Sequence, residues 1–176
     1  MSRTFPRVFT RRGFTLLELM LVVAIIGTIS AIALPVFMRY QHRSKTAEVS
    51  TNLGSLRIAE ESFFTEHGVY RSADPEPALI PGPAQADFNS AASDYAALGW
   101  TPEGRVYFSY AVNVSADGTG VTADAAADID GDGIVQLWGY TKSDGSGAFI
   151  NGTLGCTAAV LTPTEIGRCT LDQSIF

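Results

Sequence analysis

Residues 13–38 read GFTLLELMLVVAIIGTISAIALPVFM, and the fold depends on how this stretch is satisfied. From Leu19 to Met38 there are twenty residues without a formal charge, enough at about 1.5 Å per residue to cross a hydrocarbon layer of roughly 30 Å as a helix. Glu18 lies just inside the apolar run, where an ionised carboxylate is costly unless something pairs with it. Immediately upstream, Arg11-Arg12-Gly13 places a basic pair and a glycine at the boundary between a polar leader and the apolar segment.

Gly13-Phe14-Thr15-Leu16-Leu17-Glu18, followed by an apolar helix containing Pro35, resembles the prepilin signature of type IV pilins and pseudopilins. The resemblance implies that a membrane-embedded aspartic peptidase cuts after Gly13 and methylates the new amino terminus at Phe14. It also implies that Glu18 pairs with the Phe14 amine of a neighbouring subunit during docking. An independent physical argument agrees, since an amine and a carboxylate in lipid lower each other's desolvation cost when brought together. The plainer reading leaves Glu18 near the headgroups, without a partner. Pro35 removes a helix hydrogen bond and Gly27 weakens the segment nearby, so Gly27 to Pro35 is where the helix can kink or unwind. The resemblance implies melting there in a filament, whereas a static kink is the general alternative.

The chain has 176 residues, which suits one globular domain plus an anchor. Residues 1–13 carry Arg3, Arg7, Arg11 and Arg12 and no acid, so their removal moves the net charge from −6 to −10. So acidic a product argues against nucleic acid as a main partner. By the positive-inside rule the basic leader stays cytoplasmic. The proposed cut precedes the apolar run, unlike that of a secretory signal peptide, and the anchor is retained. Cys156 and Cys169 are the two cysteines, and in an exported domain they read as a disulfide. A metal or thiol role fits less well, because no histidine lies nearby and the spacing matches no zinc pattern.

Beyond the span, Val49, Leu53, Leu56, Ala59 and Phe63 recur at helical spacing, while Glu48, Asn52, Arg57, Glu60 and Glu61 fall largely elsewhere around the axis. A single helix from about Phe14 to about Glu66 follows, apolar all round in its first half and amphipathic in its second, with Gly68 as its C-cap. Such a helix is about 80 Å long, so half of it must protrude, to be covered by lipid or by copies of itself. The second half, through Gly68-Val69-Tyr70, resembles pilins of the deltaproteobacterial kind.

From Arg71 to Gly104 no strong periodicity is present. PEPALIPGPAQAD, with four prolines in nine residues, reads as loop, and SAASDYAALGW admits a short helix. Strand signals follow at Arg105–Val112, more weakly at Val121–Ala127, and at Ile134–Thr141. An antiparallel meander of three or four strands on the helix's apolar face is the expected arrangement, with a glycine-rich tail closed by the disulfide.

Asp128, Asp130, Asp132 and Gly133 match the first half of a calcium loop. Yet Gly139 stands where an EF-hand places its closing glutamate, and strands replace the flanking helices. Calcium and an exposed acidic turn both remain open. No catalytic constellation is present in the sequence: His42 and His67 lie twenty-five residues apart, and no GxSxG, HExxH or phosphate-binding loop occurs. His67 reads as a helix-dipole partner or surface residue, and Tyr40, Phe63, Phe64 and Tyr70 read as packing residues.

The sequence therefore predicts an α+β fold, which the resemblance implies is the pilin fold, without enzymatic activity. Residues 1–13 form a cleaved leader, 14–38 a transmembrane and assembly helix, 39–67 its amphipathic continuation and 68–176 a globular head. The resemblance implies a structural filament subunit whose partners are copies of itself, the prepilin peptidase, the assembly machinery and, before assembly, the inner membrane. The assembled form would be an extracellular pilus serving motility, adhesion or DNA uptake. The alternatives are a type II secretion pseudopilin and an anchored binding module that never polymerises.

Overall fold

In the computed structural model, residues 13–92 and 94–169 are described; the basic leader through Arg12 and the tail after Cys169 lie outside them. The chain divides into two units, Met1–Tyr40 and Gln41–Phe176. Helix α1, Leu16–His67, contributes to both.

In the first unit α1 is helical without a break through Gly27 and Pro35. Every helical side chain from Leu16 to Tyr40 is exposed except the half-exposed Ser30. No turn of this segment is buried, as an all-round apolar surface requires if lipid or another chain is to cover it. Tyr40, read above as a packing residue, is 64% exposed.

In the second unit α1 buries Val49, Leu53, Leu56 and Glu60. The first three belong to the predicted stripe. Glu60 does not: it occupies the next core position four residues after Leu56 and is 1% exposed. The expectation that it faces away is corrected, because the 4-3-4 spacing carries the stripe through Glu60, with Ala59 packed beside it on the core. Phe63 and Phe64 pack on the edge of this core. The helix stops at Gly68, whose positive φ of 75° suits it to follow the last helical turn, and its N–H donates to the Phe64 carbonyl.

Five antiparallel strands follow in sequence order: β1 Ala73–Glu76, β2 Ser109–Val114, β3 Val121–Ala127, β4 Gln136–Lys142 and β5 Gly167–Arg168. The sheet is larger than the expected three or four strands. β1 lies in the segment read as having no regular structure, and it takes Pro75 and Glu76 from the proline-rich stretch. It is an edge strand, where a missing N–H costs no ladder bond. β2 starts at Ser109 rather than Arg105, because Val106 pairs instead with Ala86, and β4 at Gln136 rather than Ile134, because its ladder with β3 begins at Gln136 opposite Ala127. The short helix expected in SAASDYAALGW is present as a 3-10 turn, Ser90–Ala92, and helix α2, Tyr95–Leu98.

β3 has the weakest strand signal of the three predicted and is the centre of the sheet, buried along all seven residues. Val121, Ala123, Ala125 and Ala127 face the core under α1, with Tyr110, Val112 and Tyr140. On the other face the Thr122 hydroxyl meets that of Thr141 at 2.7 Å and donates to the Ile150 carbonyl at 2.7 Å. The C-terminal segment thus covers the second face of the sheet, which is why an alanine-rich strand with little alternation can be central.

Candidate assembly site

The amino-terminal residues that the sequence singles out come together only in part. Phe14 is 83% exposed, and a Cβ added to Gly13 would meet nothing within 4 Å. The glycine stands in open space. Three residues on, the Glu18 carboxylate accepts the Thr15 backbone N–H and the Thr15 hydroxyl, each at 2.8 Å, while the Glu18 N–H donates to the Thr15 hydroxyl oxygen at 3.2 Å. This is a reciprocal capping box with Thr15 as N-cap, and it satisfies two donors that a helix start otherwise leaves open. Its signature, Thr-x-x-Glu before an apolar run, is legible in the sequence, although neither the neighbour-pairing nor the headgroup reading of Glu18 uses it. In the single chain that carboxylate already has an intramolecular task.

Further along the same unit, a Cβ on Gly27 would also meet nothing within 4 Å, and the Thr28 hydroxyl returns to the Ile25 carbonyl at 2.8 Å. Around them Leu17, Ile25, Ile29, Ile32 and Phe37 are each at least 50% exposed.

The head is closed by Cys156–Cys169, a disulfide in the structure. It lies over Gly139 of β4, where a Cβ would come within 2.6 Å of Cys156 Sγ and 2.9 Å of Cys169 Sγ. Beside it, Asp124 of β3 is fully buried; its Oδ2 accepts the N–H of Leu154 at 2.7 Å and of Cys156 at 3.4 Å, and its Oδ1 has no partner. Burial raises this carboxyl to about 6, against the pull of those N–H groups. Glu60 behaves similarly: burial lifts it to about 7 although the Arg71 N–H donates to Oε2 at 3.3 Å, and Oε1 is unpartnered. Neither acid stands out in the sequence, because nothing local distinguishes a buried carboxylate from a solvated one.

Asp128, Asp130 and Asp132 each offer an oxygen within 4.8 Å of the others. Both Asp128 oxygens accept backbone N–H groups, from Gly131 at 2.8 Å and Gly133 at 3.1 Å, and Asp132 accepts that of Ile134 at 2.8 Å. Gly131 and Gly133 have φ of 79° and 85°. The loop is held as a turn by its own amides, which leaves fewer carboxylate lone pairs for a cation. His67, near the end of α1, lies with Nδ1 3.1 Å from the Phe63 carbonyl and its ring stacked on that of Phe63.

Residues 9–34 match the prokaryotic N-terminal methylation motif. The chain is 55% identical over 69 residues to the type IV major pilin protein PilA of Myxococcus xanthus, covering 39% of this chain and 30% of that protein. It is 30% identical over 109 residues to the fimbrial protein EcpB of Eikenella corrodens, covering 62% and 64% respectively. It is 48% identical over 52 residues to the type IV major fimbrial protein FimA of Dichelobacter nodosus, covering 30% and 33%. The matched stretch is therefore less than two thirds of each relative's length. No solved structure matches the chain.

Proposed function

We propose that the chain is a type IV pilin, the repeating structural subunit of a pilus filament with no catalytic role of its own; the methylation motif over residues 9–34 and the similarity of its amino-terminal part to type IV major pilins support this reading. It is made as a precursor held in the inner membrane by α1, cut after Gly13, methylated at Phe14 and polymerised outside the cell through the same helix. The observation that carries this reading is the all-round exposure of the apolar side chains of α1 up to Tyr40. Such a surface is stable in lipid or against identical helices and nowhere else. A head-to-tail contact that does not close into a ring gives a fibre.

Processing and assembly then act on the same few residues. Cleavage frees an amine at Phe14, one residue before the Thr15 N-cap, while the Glu18 carboxylate is held by Thr15. Docking exchanges part of this intramolecular capping for the amine of a neighbour, so Glu18 has a partner before and after entry. A carboxylate satisfied in both states can move from membrane to filament without passing through an unpaired one. Gly27 and Pro35 are where we expect α1 to loosen as helices pack.

Mass spectrometry of the amino terminus of protein from sheared surface fibres tests this. The expected species begins at a methylated Phe14; full-length chains in fibres, or a Gly13→Leu variant that still makes normal fibres, overturn the reading.

A further inference from the structure

Between residues 41 and 169 the chain carries seven lysines and arginines against sixteen acids. Five of the seven cations are bound to oxygen: Lys45 donates to the Pro83 carbonyl, Arg57 to the Thr164 carbonyl, and Arg71, Arg105 and Lys142 pair with Asp94, Asp87 and Glu61. The remaining two, Arg43 and Arg168, have no hydrogen bond or ion pair among the described residues. Both line one groove of about 250 Å³ between α1, β4 and β5.

Trp138 forms the floor of this groove, with the Arg168 guanidinium 5.4 Å from its ring centroid. Its indole Nε1 is buried and donates to nothing. Thr46, Ser50 and Gln136 complete the lining with polar groups. Two guanidinium groups without an ion pair, beside hydroxyls, in a domain with more than twice as many acids as bases, make a receptor for a carboxylate.

A second groove, of about 390 Å³, lies on the opposite flank of the buried stripe of α1, lined by Glu48, Asn52, Ser55, Trp100, Glu103 and Arg105, the last already paired with Asp87. At about 100° per residue, Arg43, Thr46 and Ser50 fall on one side of the Val49-Leu53-Leu56 stripe, and Glu48, Asn52 and Ser55 on the other. Glu48 is occupied by the N–H of Tyr107 and the hydroxyl of Tyr110. Glu103 is exposed and has no partner among the described residues.

We propose that the Arg43–Trp138–Arg168 groove of one subunit receives the Glu103 edge of a second copy of this chain, as a heterologous contact between globular heads along the filament. The proposal rests on the filament reading above. Its partner is a copy because heads of this charge, brought together at filament density, repel unless each presents cations to its neighbour's acids. Complementary patches on opposite flanks make the contact heterologous, which propagates rather than closing into a dimer.

The test uses the full chain in cells that make fibres. Arg168→Glu is expected to lower sheared fibre by about tenfold, the loss that one repulsive charge contact produces, while membrane-held subunit stays at its normal level. Arg168→Glu combined with Glu103→Arg is expected to restore the yield. Because Cys156 and Cys169 are bonded to each other, a chain carrying Arg168→Cys and Glu103→Cys is expected to form crosslinked dimers and ladders in fibres. Normal fibres from Arg168→Glu, no rescue by the paired exchange, or crosslinks only to a different protein overturn the groove contact while leaving the filament reading intact. An absence of fibres from the unaltered chain overturns both.

Discussion

Replacing Glu60 by glutamine should make the head more stable at neutral and alkaline pH, although it removes a charge from the amphipathic half of α1. Glu60 is 1% exposed, it sits in the core stripe of α1, and one of its two oxygens has no partner. Burial raises its pKa from the ordinary 4.5 to about 7, offset in part by the Arg71 N–H and charge. An acid whose folded pKa lies above its unfolded one binds more protons in the folded state between those values, so stability is fully present below the unfolded value and is lost as pH rises through the folded one. At about 1.36 kcal/mol per pH unit, this window corresponds to roughly 3 kcal/mol as an upper bound, and about 1–2 kcal/mol after allowing for local relaxation. Glutamine has the same shape and no titration, so Glu60→Gln should unfold several degrees higher than the parent at pH 8 and within about a degree of it at pH 4.5. Thermal unfolding of the detergent-solubilised full chain, followed by circular dichroism between pH 4.5 and 8, measures both. Asp124, raised to about 6, contributes a slope of the same sign in both proteins, so the difference between the two curves isolates Glu60. Identical pH slopes in parent and variant, or a parent that gains stability from pH 5 to 8, would refute the reasoning.

Gly139→Ala should destabilise the head by about 1–3 kcal/mol through overpacking, since its Cβ would lie 2.6 Å from Cys156 Sγ and 3.2 Å from the Ala123 carbonyl; denaturant unfolding that matches the parent would remove the disulfide from its assigned place over β4. Reducing Cys156–Cys169, or replacing both by serine, should cost about 3 kcal/mol by loop entropy, read as a lower midpoint in denaturant and faster proteolysis after residue 142, and an unchanged midpoint would count against this closure. Calcium chelation should leave the unfolding temperature within about a degree, because the amides of Gly131, Gly133 and Ile134 already hold the Asp128–Gly133 turn. A calcium-dependent rise of several degrees, abolished by Asp130→Asn, would instead establish a cation site.

The sequence by itself determined the helix and its two halves. Twenty uncharged residues and a stripe at 49, 53 and 56 are local patterns, and each turn of the helix contributes its own hydrogen bonds, so no distant partner is needed to read them. The capping box is just as local, with Thr15 and Glu18 three residues apart, but it was recognised only from the hydrogen bonds of the structure. Only the tertiary structure decided which strand is central, because β3 is written in alanines and becomes a core strand through having α1 on one face and the disulfide-closed segment on the other. The same holds for β1, an edge strand made of proline and acids whose pairing with β2 comes from chain more than thirty residues away. Glu60, Asp124 and the grouping of Arg43 with Arg168 were likewise settled by tertiary contact. Burial and the lack of a partner are properties of the space around a side chain, and that space is filled by residues far away along the chain.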